Sequence, residues 1–434
     1  MLPGSRSRRA PLILAAILTA FIVVGAGFPA DPLRDAETRA TVTDAVLHLS
    51  PAFVALAPVN NTLDALSLLS LRQHEVLLAA LVCAYVVCRT LGAWRYRRTT
   101  EPIVRNRRWI VEAWFAAVGL LVVFAIYATL ALVPRPMAAL QLAAADSDLV
   151  IIDFHSHTSA SHDGRPGFTA EKNRTWHRAA GFDVAYVTDH YTFDGAAAGT
   201  HDNPEQAGSG TVLLSGIEAL QGGEHLNVLG VTAADSLLFR GHYLARDPLD
   251  SAIARGRPRP VIVLTIPGPL NSVPRSGMPD VVPVDAVEIS DAAPRGLGAD
   301  DREHAEILRL ADSLGLALVA GSDNHGWGRT AAAWSIIGIP GWRRLTPDSL
   351  DRRIEETMAS RRRQAGRVIE RVRPVWPARP GLSGLDSAVA VVGDGVEFLG
   401  SFFWQLTTTR SLAERLSWLV WVWALALIYR SRRT

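Results

Sequence analysis

Cysteine is nearly absent from this chain. The only two, Cys83 and Cys88, lie in one apolar run, which excludes a disulfide framework and a thiolate zinc site. Lysine is rarer still: of 44 basic residues only Lys172 is one. Charge of one sign is also lacking. The net value of +2 gives no global basic field of the kind that gathers nucleic acid. No Gly-x-Ser-x-Gly elbow offers a serine nucleophile, and no internal repeat suggests a solenoid. What is abundant is apolar surface. A hydrophobic share of 49% and a mean hydropathy of +0.16 exclude a disordered or collagen-like chain. For 434 residues they suggest membrane segments plus one large folded domain.

Three N-terminal runs have spanning length: residues 11–28, 76–94 and 113–133. The first and third carry no charge, and the second carries only Arg89, near its end. The 95–108 loop holds six arginines against Glu101, whereas residues 31–75 hold three against six acids. The positive-inside rule then places the N-terminus and the 95–108 loop in the cytoplasm and the chain after residue 133 outside. Residues 11–28 also read as a signal peptide with a cleavage site near Val24-Gly25-Ala26, which leaves the remaining topology unchanged. At the other end, 416–429 is apolar but only 14 residues long, followed by Arg430, Arg432 and Arg433. A fourth span is favoured over an interfacial helix. The stretch 388–406 is apolar too, but Asp394 and Glu397 argue against its insertion.

From about residue 147 the texture changes. Short apolar runs at 149–153, 183–188, 212–217, 226–230, 261–266, 284–290 and 316–320 alternate with helical stretches such as 169–180 and 302–314. That pattern is α/β, a closed barrel or a doubly wound sheet. The domains expected are a membrane anchor over 1–146, a catalytic domain over 147–345, and an Arg-rich helical segment with the hydrophobic helix over 346–434. Polar residues follow the apolar runs directly: Asp153-Phe154-His155-Ser156-His157, Thr188-Asp189-His190, Glu218, and Gly321-Ser322-Asp323-Asn324-His325. In parallel α/β folds the strand ends form one rim, where these side chains would converge. Imidazole with carboxylate suits Zn2+, Mn2+ or Fe2+, and the donors outnumber the needs of one tetrahedral ion, so two to three ions are expected.

These residues, in this order, resemble the PHP (polymerase and histidinol phosphatase) superfamily. The resemblance covers about residues 149–330. It rests on Asp153-x-His155-x-His157-Thr158 with Asp163-Gly164, on Thr188-Asp189-His190, on Gly216-x-Glu218 with His225, and on Gly321-Ser322-Asp323-x-His325. It implies a distorted (βα)7 TIM-like barrel with a metal cluster at the strand ends. His155, His157, Glu218 and Asp323 would hold one ion, and Asp163, His190 and His325 a second. Glu218 would bridge to a third that His225 also binds. Where the family usually places a further histidine this chain has Ile266, so the third site is weakened, absent, or completed by another group such as His242.

The expected reaction is hydrolysis of a phosphate mono- or diester by a metal-activated water. Asp153 and Asp189 would orient ligand histidines, with Glu288 behind them. Arg329 is the best-placed cation for catalysis and substrate, and Arg165 a second substrate contact. Lys172 and Arg174 flank the motifs. His162, His177, His201 and His304 read as surface histidines. The Arg-rich stretch 351–373 reads as a helix that is solvated or lies on lipid or a polyanion. Two other readings stay open: an exonuclease-type phosphodiesterase on DNA or RNA, and, because of Ile266, a degenerate domain that senses a ligand or metal without turnover.

Overall fold

The computed structural model describes residues 5–96, 102–143, 148–221, 224–240, 243–244, 260–265, 284–374, 376 and 384–432. Ile266 and His242 lie outside them.

The apolar N-terminus forms α1 (Ser5–Ala26), followed by β1 (Leu33–Asp35), β2 (Ala45–Leu49), α2 (Pro51–Ala55) and α3 (Ala57–Ser67). Two long helices come next, α4 (Leu71–Tyr96) and α5 (Pro102–Leu132). Among the described residues four stretches are long and apolar enough to cross a bilayer: Arg9–Ala26, Leu71–Leu91, Val111–Leu132 and Leu412–Ser431. Their apolar side chains face away from protein; Phe124 is 72% exposed and Leu120 71%. The last stretch is longer than the 14-residue apolar run from which it was read. A capping box of Ser411 and Glu414 starts the helix before that run begins.

The body is built on a twelve-stranded sheet. After β3 (Ala138–Leu142) come β4 (Leu149–Ser156), α6 (Ala170–Ala180), β5 (Val184–Val187), α7 (Asp194–His201), β6 (Val212–Gln221) and β7 (Glu224–Leu229). The short β8 (Phe239–Arg240) and β9 (Tyr243–Leu244) precede β10 (Val261–Leu264), β11 (Ala286–Asp291) and α8 (Pro294–Leu314). Then follow β12 (Ala317–Gly321), β13 (Ala333–Gly338), α9 (Pro347–Arg361), β14 (Gly366–Arg371), α10 (Gly384–Thr408) and α11 (Leu412–Ser431). The main strand order is β1-β14-β13-β4-β5-β6-β7-β10-β11-β12. Pairs β4–β5, β5–β6, β10–β11 and β11–β12 are parallel, whereas β6–β7, β7–β10, β13–β4 and β13–β14 are antiparallel.

The sheet curls until its far edge returns to β4. Asp323 N donates to His155 O at 2.9 Å and His157 N to Asn324 O at 3.1 Å, so the chain leaving β12 lies along the end of β4. Inside the curl, Val150, Ile152, Phe154, Tyr186, Leu214, Val263, Ala286, Val319 and Ile337 form one buried cluster, closed below by Leu350, Ile354 and Met358 of α9. The result is a mixed α/β half-barrel. Helices separate β4 from β5, β5 from β6, and β11 from β12, but β6 and β7 form a hairpin. Residues 245–259 and 266–283, where further βα units of the expected seven would fall, lie outside the described residues.

Two expectations differ from this architecture. The segment 351–373, read as helical throughout, leaves the helix after Arg361 and becomes β14, whose Val368 and Ile369 are buried. The expected break at 345/346 therefore falls between β13 and β14, hydrogen-bonded neighbours in one sheet. The N-terminal segment also joins that sheet, since β1 pairs with β14. Glu370 of β14 seals the junction, accepting from Arg34 Nε at 2.7 Å and from Arg39.

Candidate metal centre

The strands β4, β5, β6 and β12 carry metal-type donors at or just past their rim ends. In β4 the pairing with β5 slips between Asp153 and Ser156, a bulge that re-aims the side chains just where the histidines emerge. At the end of β12, Asp323 sits at φ 44°, a left-handed conformation that costs a non-glycine residue energy and marks a constrained site. Gly321 makes that approach feasible. A Cβ there would run into the Glu288 carboxylate and His155 Cβ.

Four donors converge on one point. His155 Nε2 lies 3.0 Å from His157 Nε2, 3.0 Å from Glu218 Oε2 and 3.4 Å from Asp323 Oδ1. His157 Nε2 lies 3.3 Å from Glu218 Oε2 and 3.2 Å from Asp323 Oδ1. These are five of the six edges of a tetrahedron, with the lengths that an ion bonded at about 2 Å to nitrogen and oxygen requires. The ring of His155 is already oriented for this. Its Nδ1 is 2.9 Å from Glu288 Oε1, so the carboxylate takes the Nδ1 hydrogen and leaves the Nε2 lone pair for the centre.

Further donors adjoin. His157, His190 and His325 form a second cluster, with His325 Nε2 3.0 Å and His190 Nε2 3.4 Å from Asp163 Oδ2. His190, Glu218 and His225 form a third, in which His225 Nδ1 is 2.6 Å from Glu218 Oε1. Glu218 thus offers one oxygen to each neighbour. The buried His157 Nδ1 and His190 Nδ1 have no hydrogen-bond partner among the described residues. The donor set fits two or three divalent ions that share ligands. All eight expected ligands, His155, His157, Asp163, His190, Glu218, His225, Asp323 and His325, meet here.

The charges are strongly coupled. Burial alone would raise Glu218, but His155 and the other imidazoles hold it well below the usual carboxylate range. Burial alone would lower His155, yet Glu288, Glu218 and Asp323 hold it well above its ordinary value. His157 is likewise raised to about 9, its burial outweighed by Asp323 and Glu218. His190 goes the other way, to about 4, because burial dominates. Burial also raises Glu288.

The remaining expected residues stand elsewhere. Asp153 and Asp189 do not bond the ligand rings, as their sequence positions suggested. Asp153 Oδ1 accepts from His155 N at 3.1 Å and Ser322 N at 2.9 Å, and its Oδ2 pairs with His177. Asp189 accepts from Thr158 N at 2.6 Å and Thr158 Oγ1 at 2.7 Å. Both are positioning residues that tie ligand-bearing backbone together. Arg165 and Arg329 line a neighbouring cavity with Lys172. Arg174 is buried instead, donating to Gly199 O, Thr211 O and Asn203 Oδ1.

Of the four histidines read as surface residues, His201 is exposed, but His177 is fully buried and His304 bonds Ala36 O at 2.7 Å. His162, although exposed, stacks on Tyr191 and groups with Asp163 and His190. Asn173 also escaped the sequence reading; its Nδ2 donates to His157 O at 2.8 Å. The signal was the i, i+4 spacing of Asn173 and His177 on one face of α6.

No family model matches the chain, and no curated protein does. Solved structures with local likeness include PsfC from Pseudomonas syringae, at 17% identity, covering 58% of this chain and 98% of that one, with a TM-score of 0.35. The lesion-specific endonuclease PfuEndoQ from Pyrococcus furiosus shares 12% identity over 58% of this chain and 71% of its own, with a TM-score of 0.37. A two-domain Bacteroides vulgatus protein containing a predicted PHP-like metal-dependent phosphoesterase shares 15% over 47% and 63%, with a TM-score of 0.30. Likenesses this distant carry no argument; the geometry of the rim does.

Proposed function

We propose that the chain is a membrane-tethered, metal-dependent phosphoesterase whose centre lies outside the cytoplasm. The observation that supports this most is the four-donor set of His155, His157, Glu218 and Asp323, enlarged through Glu218 by further imidazoles. Divalent ions held there would lower the pKa of a bound water and neutralise phosphate oxygens.

The chain's own residues do the rest. Glu288 fixes the His155 tautomer, and Asp153 and Asp189 lock the loops that carry the ligands. Arg165, Lys172 and Arg329 supply positive charge beside the rim for the non-reacting part of an anionic substrate. Cysteine is missing from the body and no serine elbow exists, which fits water as the nucleophile.

Strand pairing supports one part of the topology that the arginine counts suggest. β1 pairs with β14 and β2 with β3, so the segment after α1 and the body after α5 share one side. α4 and α5 would then both cross the bilayer, and the arginine-rich stretch 95–108 would face the cytoplasm by the positive-inside rule.

The test uses the full chain in detergent. Metal content is measured by elemental mass spectrometry. Hydrolysis of p-nitrophenyl phosphate, bis(p-nitrophenyl) phosphate and a short oligonucleotide is followed with Mn2+ or Zn2+. Two or more ions per chain, with chelator-sensitive turnover abolished by His155→Ala, support the reading. Bound metal without turnover of any ester points instead to a sensor, and absence of bound metal overturns the reading altogether.

A further inference from the structure

Beside the metal centre lies a cavity of about 300 Å³ whose cations would meet the non-reacting part of a substrate, and whose shape says what that part is. One wall is cationic, made by Arg165, Lys172 and Arg329; another is apolar, made by Leu132, Pro134 and Trp176 among others. Among the described residues none of the three cations is paired with a carboxylate. Each rests on a backbone carbonyl: Lys172 Nζ on Gly167 O at 2.6 Å, Arg165 Nη1 on Gly326 O at 3.3 Å, and Arg329 Nε on Arg135 O at 3.3 Å. Three like charges around one cavity repel, and a bound anion would offset that repulsion. Carbonyl contacts leave most of their N–H donors for such an anion.

Position decides which anion. Leu132 is the last residue of α5, the third spanning stretch, so the cavity opens where that helix reaches the membrane surface. The link is direct, since Gly328 N donates to Ala131 O at 3.1 Å. Trp327, between those groups and half exposed, lies under the Arg165 guanidinium at 5.7 Å, an aromatic where headgroups sit. On its other side the cavity shares a wall with the metal centre: Gly326 lines it, and Arg165 N donates to the carbonyl of the ligand residue His325 at 2.9 Å.

We propose that this cavity binds the net-anionic phosphate headgroup of a membrane lipid, with Arg165, Lys172 and Arg329 on the anion and the α5 end beside the first part of the apolar tail. The substrate class would then be a lipid-borne phosphate ester, an assignment that rests on the phosphoesterase reading above. A soluble phosphate would use the same three cations but would gain nothing from the apolar wall.

The test reads binding apart from turnover. Full-length protein in detergent, freed of metal with chelator, is titrated with dioleoyl phosphatidic acid and, separately, with dioleoyl phosphatidylcholine and with inorganic phosphate. Adducts are counted by native mass spectrometry. The expected result is one phosphatidic acid per chain, bound about tenfold more weakly by Lys172→Gln/Arg329→Gln, as the loss of charge-assisted bonds implies. Lys172→Gln alone, at an exposed side chain that folding does not need, should weaken it about threefold.

Equal retention of phosphatidylcholine, unchanged affinity in both variants, or displacement of the lipid by equimolar inorganic phosphate overturns the proposal. Hydrolysis of bis(p-nitrophenyl) phosphate by the metal-loaded chain without lipid binding sinks the cavity and spares the catalytic reading. Lipid binding lost in the variants, with no ester turned over, does the reverse.

Discussion

His177 Nε2 stands 2.7 Å from Asp153 Oδ2, both groups closed off from solvent. The other oxygen of that carboxylate holds the backbone of His155 and Ser322, so one side chain joins α6, the end of β4 and the loop after β12. His177 is itself seated by its Nδ1 on Asn173 O at 2.9 Å. Removing the imidazole would leave a buried carboxylate oxygen without a partner. His177→Ala should therefore lower stability by about 3 kcal/mol and weaken metal binding about tenfold through displaced ligand loops. Thermal unfolding and metal retention after dialysis measure both. Unchanged metal retention would show that Asp153 holds the loops without its histidine.

The closeness of Gly321 to Glu288 and His155 makes a second prediction. Gly321→Ala inserts a methyl against both groups and should push His155 off its Glu288 contact. Metal affinity should fall about 10- to 100-fold, the usual effect of losing such an outer contact. Gly338→Ala is the control, because the nearest atom to its added methyl is Leu149 Cδ2 at an ordinary 3.9 Å. Equal metal affinity in the two variants would remove the steric argument.

How much of this was legible beforehand follows from sequence distance. The candidate ligands fall in short windows at the ends of apolar runs, so the strand rule alone brought His155, His157, His190, Glu218, Asp323 and His325 to one rim. The supporting residues did not stand out. Asn173 and His177 sit mid-helix among charged neighbours, where a polar residue usually means a solvated face. β14 was hidden for another reason: Gly366–Arg371 carries three charges in six residues, and its partner strands lie at 333–338 and 33–35. Its arginines and Glu370 are compensated by acids and bases more than 300 residues away, including Asp64 and Arg34, which no local pattern reveals.

Under the half-barrel, Tyr186 Oη donates to Asp351 Oδ1 at 2.7 Å, and Glu355 follows one turn later on α9. Burial pushes Asp351 up to about 7; burial and then Asp351 push Glu355 up to about 8. Folded values above the ordinary 3.8 and 4.5 mean that the folded chain holds more protons than the unfolded one between about pH 4 and pH 8. Their contribution is therefore fully present at acid pH and is lost as pH rises through 7 and 8. Denaturation midpoints of the wild type should fall from pH 5 to pH 8.5, and Asp351→Asn/Glu355→Gln should flatten that slope. A midpoint of the double variant that falls as steeply as wild type would place the titration elsewhere.

The N-terminal helical segment meets the body at Asp64 of α3. Its Oδ1 accepts from Arg135 at 2.6 Å and from Thr330 Oγ1 at 2.8 Å, and its Oδ2 from Arg371 at 2.8 Å. Burial would raise this acid, but Arg371 and Arg135 outweigh it and keep it below its ordinary value. One carboxylate thereby balances two buried guanidinium groups, one just past α5 and one at the end of β14. Asp64→Asn preserves shape and removes the charge. It should cost about 3–5 kcal/mol, because two cations are then left buried and uncompensated. Asp64→Leu combined with Arg135→Met and Arg371→Met should recover most of that loss, since an apolar triad carries no charge to desolvate. The readout is the thermal midpoint of the full chain in detergent. A triple variant no more stable than Asp64→Asn would mean that the network serves chiefly to set the geometry between α3 and the sheet.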